Sequence, residues 1–83
     1  MKKDNYLDVH GLTLLQAKKV IENAVNIAYE TGQSVLNVNH GFNQGNKIKT
    51  WCLKSGKNLK HVIKVESGEN EGMSKLFIEL KLF

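Results

Sequence analysis

The chain has no proline, no arginine and a single cysteine in 83 residues. Each scarcity narrows the reading. One thiol, Cys52, cannot close an internal disulfide or build a cysteine-based metal site, and it suits a reducing, cytoplasmic setting. No apolar run reaches the roughly 18 residues that a spanning helix needs, so no membrane partner is expected. The opening Met1-Lys2-Lys3-Asp4-Asn5 does not lead into the apolar core of a signal peptide. With proline absent, glycine punctuates the chain. No repeat, linker or low-complexity tract divides it, so the expectation is one small domain over 1–83, with its core at about 6–82. A chain this short buries a modest share of its surface and has a thin stability margin.

All twelve basic residues are lysines, and the formal net charge is +4. Between Thr31 and Val65 there is no acidic residue, while Lys47, Lys49, Lys54, Lys57, Lys60 and Lys64 all fall in that span. Charge collected in this way is the footprint of a surface facing a polyanion. The same lysines also suit an ordinary solvated helix, and composition does not choose between the two.

Residues Tyr6 to His10 alternate, Leu7 and Val9 against Tyr6, Asp8 and His10, which predicts a short strand. Thr13 and Gln16 form a capping box for a helix whose apolar positions are Ala17, Val20, Ile21, Ala24, Ile27 and Ala28. Gly32 stops that helix in the position where a left-handed residue is wanted. A second strand runs from Ser34 to Asn39, with Leu36 and Val38 on one face. A second helix follows from about Asn46 to Ser55, its apolar side made by Ile48, Trp51, Cys52 and Ser55, with Trp51 as core. His61 to Glu66 reads as a third strand with Ile63 and Val65 inward, and His61 as an ordinary residue at its start. The fourth covers Ser74 to Leu82, with Leu76, Ile78, Leu80 and Leu82 against Phe77, Glu79 and Lys81. Each strand has one apolar face, whereas a sheet covered on both sides would be apolar nearly throughout. The expected architecture is βαβαββ, an α/β two-layer sandwich with both helices on one face of a four-stranded mixed sheet. A right-handed crossover makes its first two strands parallel.

Parallel strands joined by a helix end at one edge of the sheet. His10 and His40 are therefore expected close together, and Asp8, two residues before His10, shares its face. Both helices start at this edge, offering backbone N–H groups and partial positive charge to a phosphate. Gly11, Gly41 and Gly45 let a phosphate approach the backbone. Phe42 is placed to stack on a base. An imidazole beside a carboxylate handles protons near neutral pH. Each part also has a plainer reading: Asp-x-His is common on strands, glycines serve turns, and loop aromatics often only pack.

Leu7-Asp8-Val9-His10-Gly11-Leu12-Thr13 resembles the Leu-Asp-x-His-Gly motif of the small MutS-related (Smr) domain family. His40-Gly41-Phe42-Asn43-Gln44-Gly45 resembles its second signature, His-Gly-x-Gly-x-Gly. The resemblance runs from about Tyr6 to Leu82 and includes a glycine-bearing loop, Gly68 to Gly72. It implies a fold similar to the C-terminal domain of bacterial translation initiation factor three. It also implies endonuclease activity that nicks DNA or cuts RNA, stimulated in some members by a divalent metal such as Mg²⁺. Asp8 and His10 would be the catalytic pair, with His40, Gly41 and Gly45 around the phosphate. Here Asn43 stands at the family's middle glycine and Phe42 at its usual basic position. Asn tolerates left-handed backbone better than most residues, and Lys47 and Lys49 would replace the lost charge.

Three readings follow. A nuclease would use Asp8, His10 and His40 in catalysis. The nucleic acid would be held by Gly11, Gly41, Phe42, Asn43, Gly45, Lys47 and Lys49, and a non-catalytic binding module would need only the lysine surface, the helix starts and Phe42. A docking domain would offer its open sheet face to a protein of DNA repair, recombination or translation.

Overall fold

The computed structural model describes residues 5–41, 47–68 and 72–82. Its elements are β1 (Asn5–Asp8), α1 (Leu14–Glu30), β2 (Val35–Asn39), α2 (Lys47–Ser55), a 3-10 turn (Gly56–Asn58), β3 (Val62–Ser67) and β4 (Met73–Ile78). The sheet order is β1-β2-β4-β3. β1 and β2 are parallel, with Asp8 opposite Asn39, and β4 runs antiparallel to both β2 and β3. Two helices on a four-stranded mixed sheet is the expected architecture.

α1 begins where its sequence demands. The Thr13 hydroxyl accepts from the Gln16 N–H at 3.2 Å, and the Gln16 side chain accepts from the Thr13 N–H at 3.0 Å. At the other end Gly32 takes φ 78°, and the Gln33 N–H reaches the Ala28 carbonyl at 2.8 Å, closing the helix. Ala17, Ile21, Val25 and Ala28 bury one stripe against Val9, Leu36, Val38, Leu76 and Ile78 of the sheet. Cys52 of α2 joins this core, and burial pushes its thiol pKa up to about 12, which makes it inert.

Several inward assignments shift. In α1, Ile27 is exposed and Val25 takes the core position. In β3, Val62 pairs with Ile78 and Lys64 with Phe77, so Ile63 is an extra residue in a bulge. Ile63 therefore turns out and is 63% exposed, while Val62 packs inward. β4 ends at Ile78, which leaves Leu80 and Leu82 exposed beyond the sheet. Asn37, on the side of β2 away from the helices, is only 2% exposed, because β2 is a central strand flanked by β1 and β4. The lysine run is also divided. Lys47 and Lys54 lie on the helix side, whereas Lys64 sits on the open face over the Phe77 ring and pairs with Glu66.

Candidate functional site

β1 and β2 end together, as parallel strands must, and the motif residues gather at that edge. Val9 is fully buried under the helices, so the alternation sends Asp8 and His10 to the open side. There the Asp8 carboxylate accepts from the His10 backbone N–H at 3.1 Å and from its Nδ1 at 2.5 Å. The imidazole hydrogen bond, reinforced by that N–H, holds the Asp8 pKa below the usual aspartate range. With Nδ1 committed to Asp8, Nε2 has no partner among the described residues, and in the neutral ring it is the nitrogen that carries the lone pair. The His10 side chain is 64% exposed.

His40 is placed differently. It continues the Leu36–Val38 phase, faces the helices and is only 7% exposed. Its Nδ1 lies 2.9 Å from the Gly41 carbonyl and its Nε2 lies 2.9 Å from Ser74 Oγ. A carbonyl only accepts, so Nδ1 carries a proton and donates to it, and Nε2 shares a hydrogen bond with the Ser74 hydroxyl. Both nitrogens of the ring are thus engaged. His10 and His40 share the edge of the sheet but project to opposite faces.

The backbone of the second motif is equally engaged. The Gly72 carbonyl accepts from the His40 and Gly41 N–H groups at 2.9 and 3.0 Å. Gly41 takes φ 71°, and a Cβ there would stand 3.4 Å from His10 Cβ, so its glycine fits a left-handed turn against the first motif. Gly11, at φ 82°, has nothing within 4 Å of where a Cβ would stand, which leaves open space beside His10.

That space opens onto a cleft of about 330 Å³ lined by Gly11, Leu12, Thr13, Leu14, His40, Lys47 and Ile48. Neither helix has an acidic residue in its first turn. The α1 capping box leaves the Leu14 and Leu15 N–H groups without helical carbonyls. With Lys47 opposite, the cleft suits an anion. The geometry thus brings together Gly11, His40 and Lys47 in the cleft, while Asp8 and His10 project from the other face of the same edge and Gly41 packs against His10. Lys49 lines no part of the cleft, being two residues from Lys47 and so on another side of α2. Phe42, Asn43 and Gly45 lie outside the described residues. Sequence reasoning missed Ser74 and Gly72, whose partners His40 and Gly41, just past β2, become visible only once β4 is paired with it. Among the described residues no three His, Cys, Asp or Glu side chains gather as metal ligands. Nor is any described helix long and apolar enough to cross a membrane.

A family model described as the Smr domain matches residues 7–81. The crystal structure of the Smr domain of Thermus thermophilus MutS2 matches with a TM-score of 0.83 at 19% identity, covering 90% of this chain and 98% of that one. At that identity the likeness speaks to the fold. No curated protein matches the chain.

Proposed function

Since the chain belongs to the Smr domain family, which is associated with nucleic-acid binding and nuclease activity, we propose that it grips a nucleic-acid strand at the β1/β2 edge and cuts it with His10 as general base. The observation that carries this reading is the exposed Asp8–His10 pair, which holds Nε2 free beside the open space at Gly11.

The chemistry these residues support best is cleavage through an RNA 2′-hydroxyl. Nε2 of His10 takes the hydroxyl proton, O2′ attacks phosphorus, and the bond from phosphorus to O5′ breaks. The departing oxygen is protonated by solvent or by the imidazolium, leaving a 2′,3′-cyclic phosphate. Asp8 fixes the tautomer and stabilises the imidazolium once formed. Lys47 and the free N–H groups of α1 counter charge growing on the phosphoryl oxygens. His40 acts as a positioning residue, tying the turn at Gly41 to Ser74 of β4. A single cysteine, Cys52, left as a free thiol, suits work in a reducing cytoplasm.

A divalent metal such as Mg²⁺ fits this donor set poorly. Asp8 is the one carboxylate at the described site, and its Oδ1 already takes both hydrogen bonds from His10. Hydrolysis of DNA, which more often uses a metal, is correspondingly less well supported than the 2′-hydroxyl route. One observation favours a second reading, binding without cutting. With both His40 nitrogens engaged, the described site has one free imidazole and no second one to act as its acid.

The test is incubation with structured RNA and with supercoiled plasmid, in Mg²⁺ or EDTA, beside His10→Ala. RNA cut in EDTA to cyclic-phosphate ends, lost in the variant, is the expected result. Cutting that survives His10→Ala overturns the assignment, and binding without cutting of either polymer favours the module.

A further inference from the structure

Trp51, predicted as core, is only half-buried. It packs against the core on one side and lines an open groove of about 460 Å³ on the other. Leu14, Lys47, Thr50, Lys54 and Ser55 complete the lining. Lys47, Thr50, Trp51 and Lys54 follow helical i, i+3, i+4, i+7 spacing, so one face of α2 carries them all. The Lys18 ammonium lies 5.8 Å from the Trp51 ring centroid, adding a cation from α1. Among the described residues no acidic side chain lines the groove. It shares Leu14 and Lys47 with the anion-suited cleft, so the two cavities adjoin.

We propose that this groove receives an unpaired nucleobase stacked against Trp51, while the phosphate next to it lies on Lys47 in the adjoining cleft. This rests on the reading that the domain binds nucleic acid, and it adds a preference for single-stranded over duplex segments. Charge complementarity selects the occupant. Lys47 and Lys54 flank the tryptophan and Lys18 reaches over its ring, and among the described residues Leu14 is the only other large apolar group, too little for a protein patch but well suited to one aromatic base between cations. The Thr50 and Ser55 hydroxyls serve the polar edge of a base. Both donate and accept, so they discriminate weakly between bases. Stacking on an aromatic ring in a basic groove is likewise tolerant of sequence, because every base has a π-face. A base inside a duplex would first have to be unstacked, which costs free energy that an already unpaired base does not.

The chain's one tryptophan makes the test direct. A labelled 2′-O-methyl RNA oligonucleotide, whose blocked 2′-hydroxyl cannot attack, is titrated as single strand and as duplex. Trp51 emission and label anisotropy are read together. The expected result is quenching of Trp51 by the single strand and little change with the duplex. Trp51→Ala should weaken single-strand binding about tenfold and leave duplex binding unchanged. Trp51→Phe, which keeps a ring and protects against a packing defect, should recover most of the affinity. Oligonucleotide binding with unchanged Trp51 emission, or equal quenching by both forms, overturns the groove and leaves the phosphate cleft standing. No binding of either form overturns both.

Discussion

The two ends of the sheet each carry a histidine joined through Nδ1 to a carboxylate, and the two pairs differ in how open they are to a ligand. At the carboxyl edge of β1 and β2, Nδ1 of His10 meets Asp8 at 2.5 Å, with both side chains more than half exposed. At the opposite end Nδ1 of His61 meets Glu79 at 2.7 Å, but the His61 side chain is only 14% exposed. The His61 ring lies flat on Tyr29, centroids 3.6 Å apart and planes 9° from parallel. Its backbone sits at φ 77°, and its carbonyl accepts from the Glu79 N–H at 2.8 Å. The nearby Glu30–Lys81 ion pair closes that end of the molecule, lowering the Glu30 pKa and raising that of Lys81. The pair itself is therefore no signature of catalysis. Access to Nε2, open space at Gly11 and a cationic cleft alongside distinguish the first from the second.

That contrast can be broken most sharply by exchanging which histidine is lost. His10→Ala should lower RNA cleavage by about 10²–10⁴-fold, the usual worth of a general base. Its urea midpoint should barely move, because an exposed side chain contributes little to stability. His40→Ala comes next, since it strips partners from the buried Ser74 hydroxyl and the Gly41 carbonyl. Urea denaturation should show a loss of about 1–3 kcal/mol. His61→Ala should cost about 1 kcal/mol through the lost stack on Tyr29 and leave cleavage at the wild-type rate. His61→Gly should cost less than His61→Ala, because glycine alone adopts that positive φ without strain. The smallest effect concerns acid. The folded-state pKa of Asp8 is depressed, so its stabilising contribution is present above the ordinary aspartate range and is lost as pH falls through the lowered value. Asp8→Asn should therefore flatten the decline in urea midpoint between about pH 5 and pH 2.

Much of the fold was legible because local rules and tertiary packing agree. Thr13 and Gln16 specify the start of α1, Gly32 its end, and the Leu36–Val38 phase the buried side of β2. The misplaced residues mark where the regular period breaks. Ile63 sits in a bulge that no pattern of apolar residues announces, and Leu80 and Leu82 continue an alternation after pairing has ended. Asn37 is covered by its strand's central place rather than by its own polarity. The opposed directions of His10 and His40 were written in the chain: one follows buried Val9 by a single step, the other follows buried Val38 by two. What one sequence does not reveal is the partner of each ring. Ser74 lies 34 positions from His40 and meets it only across the β2–β4 ladder. Likewise Glu79, 18 positions from His61, becomes its neighbour through the β3–β4 ladder.

The central claim is that the exposed pair at the carboxyl edge, and not the enclosed pair at the other end, moves the proton. The most direct measurement is the single-turnover rate on one structured RNA in EDTA, for wild type, His10→Ala and His61→Ala. The expected result is equal cutting by wild type and His61→Ala, and at least a 100-fold slower rate for His10→Ala. Wild-type cutting by His10→Ala, or an equal fall in both variants, would contradict it.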